Sequence, residues 1–145
     1  MYNIITDVNS IDKKKWKDFV YEHPDGTIFQ TPEFYDLHLD QEKYEPVAVF
    51  ALEQEKIIGL MVATIQKENK GILGMLSARS IIWGGPLILK GKENSANLLI
   101  NAYNKYVKSK VIFSQVRNLF DTDNLKNYFT ESGFTYKEHL NFLID

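Results

Sequence analysis

PVAVFALEQEKIIGLMVATI, Pro46 to Ile65, holds two apolar runs around one polar turn. Every residue from Pro46 to Leu52 is apolar, and between Ile57 and Ile65 only Gly59 and Thr64 depart from that character. Runs this short, rich in β-branched residues and joined by Glu53-Gln54-Glu55-Lys56, read as two adjacent, well-buried antiparallel strands.

Downstream, Asn69-Lys70-Gly71 punctuates the chain, and Ile72 to Leu76 and Ser80 to Leu89 read as further strand, separated by Ser77-Ala78-Arg79. Gly84-Gly85-Pro86 breaks the second of these runs and marks a kink or bulge. Ala96, Leu99, Ile100, Tyr103 and Val107 recur with helical period behind the polar start Glu93-Asn94-Ser95, giving an amphipathic helix of about four turns that crosses back over the sheet. Val111 to Val116 is a compact strand. Thr122-Asp123 can cap a helix bearing Leu125, Tyr128 and Phe129, with Gly133 placed to close it. Phe134 to Ile144 reads as a final strand.

Upstream, Ser10 can cap a helix whose buried face is Trp16, Phe19 and Val20, ending before Pro24-Asp25-Gly26. Thr27 to Gln30 reads as an extended piece. Thr31 as N-cap and Pro32 as first helical residue then open a second helix carrying Phe34 and Leu37, with Glu33 near its positive end. The order ααββββαβαβ implies an α/β (α+β) domain, residues 1 to 145, with a mixed, mostly antiparallel central sheet flanked by helices and one parallel crossover.

Composition narrows the function classes. The chain has 145 residues, 44% hydrophobic and 25% charged, enough for one domain with a real core. It has no cysteine, which excludes thiolate metal sites and cysteine nucleophiles and fits a reducing cytoplasm. The first residues lack the apolar region of a secretory leader, and no window approaches a membrane span. A net charge of −2, with 17 basic and 19 acidic residues scattered, argues against duplex nucleic acid as partner. Lys13, Lys14 and Lys15 read as a solvated helix face.

The element order is that of the GNAT N-acetyltransferases. Tyr128-Phe129-Thr130-Glu131-Ser132-Gly133-Phe134 resembles that family's late helix-to-strand corner. HPDGTIFQTPEFYD (His23 to Asp36), Ile57-Ile58-Gly59 and SARSIIWGGPLI (Ser77 to Ile88) together resemble the first half of FemAB-like proteins. Those enzymes add amino acids to peptidoglycan precursors, and related bacterial acyltransferases are encoded near envelope-polysaccharide genes. The resemblance implies a transferase half that binds a nucleotide-sugar or muropeptide precursor and is not fully catalytic alone. Such relatives carry two domains in tandem, so it also implies a homodimer or a second GNAT-like domain as partner. Two alternatives stand beside it: a stand-alone acyl-CoA-dependent N-acyltransferase, and a non-catalytic assembly module using an open sheet edge.

GNAT enzymes hold the CoA pyrophosphate on a glycine-rich loop leading into the central helix, where backbone N–H groups meet phosphate. The equivalent loop, Leu89 to Ala96, has one glycine, and Glu93 puts a negative charge where phosphate would sit. Acyl-CoA is therefore not supported as cofactor, although Lys90 and Lys92 could hold an anion. Transfer of an activated acyl group to an amine needs positioning and oxyanion stabilisation rather than a covalent nucleophile. Candidate substrate-binding residues are Arg79, Trp83, Gly84, Gly85 and Arg117. Two strand glycines admit a ligand or another backbone, and Trp83 can stack on a ring; the same residues also suit a bulge with Trp83 in the core. The arginines, the chain's only two, suit either a bidentate anion clamp or a structural ion pair. His23, His38 and His139 are too scattered for a metal set, and His23 before Pro24 reads as a turn residue. Glu33 and Asp36, like Asp121 and Asp123, read as helix-start acids. Tyr103, Tyr106 and Tyr128 read as packing aromatics.

Overall fold

The hairpin at the centre of the sequence is the centre of the sheet. In this computed structural model, which describes residues 1–68, 71, 74 and 76–137, β2 (Tyr44–Glu53) and β3 (Lys56–Gln66) pair antiparallel in the register Pro46↔Thr64 and Phe50↔Leu60. Gln54 and Glu55 both take positive φ, 48° and 64°, in the tight reversal that matches the strands' own twist. A third strand that sequence patterning missed, β1 (Asn3–Ile5), adds antiparallel to β2 with Ile5 opposite Phe50. Three residues are too few to show a period.

On the other side of β3 lie β4 (Arg79–Trp83) and, past the Gly84-Gly85-Pro86 break, β5 (Leu87–Ile88). Helix α3 (Ser95–Val107) then carries the chain over the sheet to β6 (Phe113–Arg117), which pairs parallel to β4 from Arg79↔Phe113 to Trp83↔Arg117. The path across the sheet is β1-β2-β3-β4-β6, so the expected mixed, mostly antiparallel sheet with one crossover is present. Because β5 pairs with β3 and β6 with β4, the sheet opens just beyond Trp83, between β5 and β6. The last bond before the gap runs from Gly84 N–H to Arg117 O, at 2.8 Å.

Strand alternation gives the sheet two apolar faces. Val47, Val49, Met61, Ala63, Ile65 and Ile82 pack against Leu99, Tyr103 and Val107 of α3. Ala48, Phe50, Leu60, Val62 and Leu87 pack against Trp16, Phe19 and Val20 of α1 (Lys13–Glu22). Helix α4 (Lys126–Glu131) closes a smaller cluster of Phe129 and Leu125 on Ala96 and Ile100.

Several local readings need correction. Helix α1 is capped by Asp12, whose carboxylate accepts from the Lys14 and Lys15 N–H groups; Ser10 instead ends a 3-10 turn begun by Asp7. An ionised carboxylate is the stronger acceptor for those amides. Thr27 to Gln30 is not extended but a 3-10 turn with a capping box, Thr27 and Gln30 each bonding the other's end of the turn. Helix α2 (Pro32–Leu37) is capped by Thr31 as expected. Phe134 to Lys137 form no strand, and the rest of the expected final strand, with His139, lies outside the described residues. Of the expected strand Ile72 to Leu76, Gly74 is helical and Leu76 lies in a turn, while Ile72, Leu73 and Met75 lie outside the described residues.

One polar cluster sits inside the α3 face. The buried Tyr103 hydroxyl lies 2.6 Å from Ser80 Oγ and 2.8 Å from Ser114 Oγ, tying α3 to β4 and β6. Burial raises the Tyr103 pKa, outweighing the opposing hydrogen bonds from Ser114 and Ser80. Stability from holding it neutral is complete below the unfolded tyrosine value near 10 and is lost as pH climbs from there through the folded value. Tyr103→Phe should cost about 2 kcal/mol in urea denaturation, since it strands two serine hydroxyls. A loss within error would mean that the serines re-pair.

Candidate substrate site at the sheet opening

The structure gathers four of the five candidate residues at the gap. Trp83 ends β4 and Arg117 ends β6, directly opposite in register, and the Arg117 guanidinium carbon lies 4.5 Å from the Trp83 ring centroid. That distance is within cation–π range. Phe29 stacks on the same indole, 5.5 Å between centroids and 23° between planes. The aromatic contacts then continue edge to face from Phe29 to Phe34, to His38, and on to Tyr44 on β2.

Gly84 and Gly85 follow with φ of +80° and +70°, the left-handed region that bends the chain from β4 into β5. Each also meets a side chain. A Cβ on Gly84 would lie 2.2 Å from Gln30 Nε2, and one on Gly85 would lie 3.0 Å from Asn118 Oδ1. Gln30 is fully buried: Nε2 donates to Trp83 O at 3.1 Å, while Oε1 accepts from Thr27 N–H and from Thr27 Oγ1–H. The Trp16 indole N–H donates to Gln30 O at 2.7 Å. The 3-10 turn is thus fastened to α1 on one side and to the end of β4 on the other, which sets Phe29 against Trp83. Phe29, Gln30 and Asn118 were not singled out as site residues from sequence. The T-x-x-Q spacing of Thr27 and Gln30 was the available signal for that turn.

Arg79 stands apart, at the opposite end of β4, paired in register with Gln66 and Phe113. Its Nε is buried without a hydrogen-bond partner. Arg117 reaches Gln115 Oε1 at 3.5 Å. Among the described residues neither arginine takes part in an ion pair, so the structural-pair reading of these two residues does not hold there.

The loop before α3 is closed on itself. Glu93 Oε1 accepts from Gly91 N–H at 3.0 Å, and the N–H groups of Lys92, Ser95 and Ala96 bond Leu89 O, Lys92 O and Glu93 O. The Gly91 and Glu93 N–H groups hold the Glu93 carboxyl below its ordinary pKa. Lys92 Nζ bonds both Glu53 oxygens, at 2.8 and 2.7 Å, and that hydrogen bonding raises its pKa.

The other candidates have structural partners. His23 Nε2 lies 3.0 Å from Ile88 O, and its Nδ1 accepts from Asp25 N–H. Asp36 pairs with Lys13, Glu33 with Lys17, and Lys14 with Asp18. Among the described residues no group of three or more His, Cys, Asp and Glu side chains could hold a metal, and no helix is long and apolar enough to cross a membrane. A cleft of about 450 Å³ lies beside β6, lined by Gln115, Val116, Asn118, Ser132 and Phe134 among others.

No protein family matches the sequence, and no curated protein is a recognisable sequence relative. Solved structures do match. An aminoglycoside acetyltransferase from an uncultured soil metagenomic sample, in complex with trehalose, superposes with a TM-score of 0.64 at 15% identity, over 99% of this chain and 95% of that one. The aminoglycoside 6'-N-acetyltransferase of Acinetobacter baumannii gives 0.62 at 16%, covering 100% and 98%. The ribosomal-protein-alanine N-acetyltransferase of Brucella melitensis gives 0.61 at 9%, covering 100% and 99%.

The chain has the GNAT acetyltransferase fold. At these identities the likeness is one of fold alone. Leu89 to Ala96, the segment expected from sequence to correspond to a pyrophosphate loop, forms the turn that leads into α3. Here the Gly91 amide is already bonded to a carboxylate of the chain.

Proposed function

We propose that this chain is an N-acyl or aminoacyl transferase of GNAT fold that receives its acceptor at the Trp83–Arg117 opening and does not hold its acyl donor as acyl-CoA on the loop before α3. The acceptor is an amine-bearing cytoplasmic precursor of peptidoglycan or envelope polysaccharide, a nucleotide-sugar or muropeptide, and a second GNAT-like domain or second copy completes the catalytic unit. The observation that carries the reading is the Glu93–Gly91 bond. An internal carboxylate takes up a backbone donor that a phosphate oxygen would need, and adds repulsion toward any approaching anion. The Trp83 ring with Arg117 over it supports the acceptor side, because it joins an apolar platform to a cation at the sheet opening.

The test is calorimetric. Acetyl-CoA should give a flat trace on the native chain, and a panel of nucleotide-sugars and muropeptides should give at least one saturable isotherm. The reverse pattern overturns the proposal. As a sharper check, Glu93→Ala frees the Gly91 N–H, and this variant should gain measurable acetyl-CoA binding. Equal silence in both proteins would mean that Glu93 is not what closes the loop.

A second reading has its own support. The chain spans 95–99% of the length of the acetyltransferases it superposes on. A stand-alone acyl-CoA-dependent N-acyltransferase is compatible with that coverage, and saturable acetyl-CoA binding by the native chain is its signature.

A further inference from the structure

Three strands present one polar row on the face away from α3. Ala63, Ile65 and Ile82 belong to the α3 core with Val116 packed against it, and Ser80 and Ser114 meet Tyr103 of that helix. Alternation therefore puts Thr64 and Gln66 of β3, Arg79, Ile81 and Trp83 of β4, and Phe113, Gln115 and Arg117 of β6 on the opposite face. Register aligns them: Thr64 with Ile81 and Gln115, Gln66 with Arg79 and Phe113, and Trp83 with Arg117.

Both arginines of the chain are in this row, at its two ends, four strand residues or roughly 13 Å apart. Both are partly buried. Every ion pair among the described residues uses a lysine, and neither guanidinium meets a carboxylate. Two polar atoms of the row, Arg79 Nε and Thr64 Oγ1, are buried with no hydrogen-bond partner. A guanidinium stays charged at any ordinary pH and offers five donors, so leaving it half-desolvated without an anion is costly. A ligand's anionic groups would relieve that cost at both ends, and the partly exposed Gln115 stands between them.

We propose that Arg79 and Arg117 grip the two ends of one elongated acceptor that carries an anionic group at each end. This deepens the reading above and rests on its placing the acceptor on this face. The two guanidinium groups supply the end contacts, the partly exposed Trp83 ring adds apolar contact at the Arg117 end, and the partly exposed Gln115 supplies a hydrogen bond between them.

With only two arginines, the uniformly 15N-labelled protein gives two Nε–Hε signals, assignable with Arg79→Lys and Arg117→Lys. The probes are sebacate, whose carboxylates are far apart, succinate, whose carboxylates are close, and acetate. Sebacate should move both signals with one dissociation constant, about tenfold or more below that of acetate, a gain of about 1.4 kcal/mol. Succinate should gain little over acetate. Arg79→Ala and Arg117→Ala should each return sebacate to acetate-like affinity; if either fails to fold, the native titration decides alone. Unmoved signals, two different constants, or sebacate no tighter than acetate would overturn the proposal. An acceptor acylated without shifting either signal would remove this inference and leave the transferase reading. Two-ended anion binding without any acyl transfer would do the opposite.

Discussion

Trp16→Ala is expected to destabilise the protein by about 4 kcal/mol, near the upper end of large-to-small core substitutions. Trp16 is fully buried, with its ring edge-on to Phe50 at 5.0 Å and to Tyr35 at 5.6 Å. Truncation removes those contacts, opens a cavity between α1 and the sheet, and leaves Gln30 O without its 2.7 Å donor. Trp16→Phe separates the two effects: it keeps much of the volume and should cost about 2 kcal/mol, chiefly for the orphaned carbonyl. The disturbance should also reach the site, because Gln30 holds Trp83 O. Trp83 is the only indole left in the variant, so its fluorescence reports that disturbance directly. A urea midpoint shift equivalent to under about 2 kcal/mol, with Trp83 emission unchanged, would mean that α1 and the 3-10 turn are not coupled in this way.

Gly84→Ala should cost about 3 kcal/mol and loosen the same region, the sum of a conformational and a desolvation cost. Placing a non-glycine residue at φ +80° costs about 1 kcal/mol. The added Cβ would meet Gln30 Nε2 at 2.2 Å, and displacing a fully buried glutamine breaks its bond to Trp83 O and strains its bonds to Thr27. An unsatisfied buried amide adds about 2 kcal/mol. Gly133→Ala is the control: φ there is +91° but nothing lies within 4 Å of where the new methyl would stand, so only the conformational cost of about 1 kcal/mol should appear. Equal losses at the two glycines in urea denaturation would show that the Gln30 contact carries no weight. A larger loss at Gly84, with a changed Trp83 signal, supports the fastening of Phe29 and Trp83 by Gln30.

Little of this site could be read from residues alone. Gly84-Gly85-Pro86 announced a break, and the break is where the sheet opens. The partners that fill the space around it, Gln30 and Asn118, are respectively 54 and 33 positions from Gly84 and Gly85 in the chain. No local pattern connects them. Arg79 and Arg117 were separable from the lysines by type, but that they share a face while lacking ion pairs among the described residues follows only from register. The loop before α3 was more legible, because one glycine and one glutamate in a short segment already define its charge and flexibility. The Glu93 carboxylate bonds an amide only two residues away, an interaction of local geometry.

Neighbouring residues were enough to specify the central hairpin, the amphipathic α1 and α3, the Thr31-Pro32 helix start and the closing role of Gly133, since apolar period, caps and glycine conformation act over a few positions. Packing between distant segments set everything else. It recruited β1 through Ile5 against Phe50, turned Thr27–Gln30 into a bracket between Trp16 and Trp83, and set Arg117 over an indole 34 residues earlier in the chain. These features depend on strand pairing and desolvation across the fold, energies that no window of adjacent residues contains.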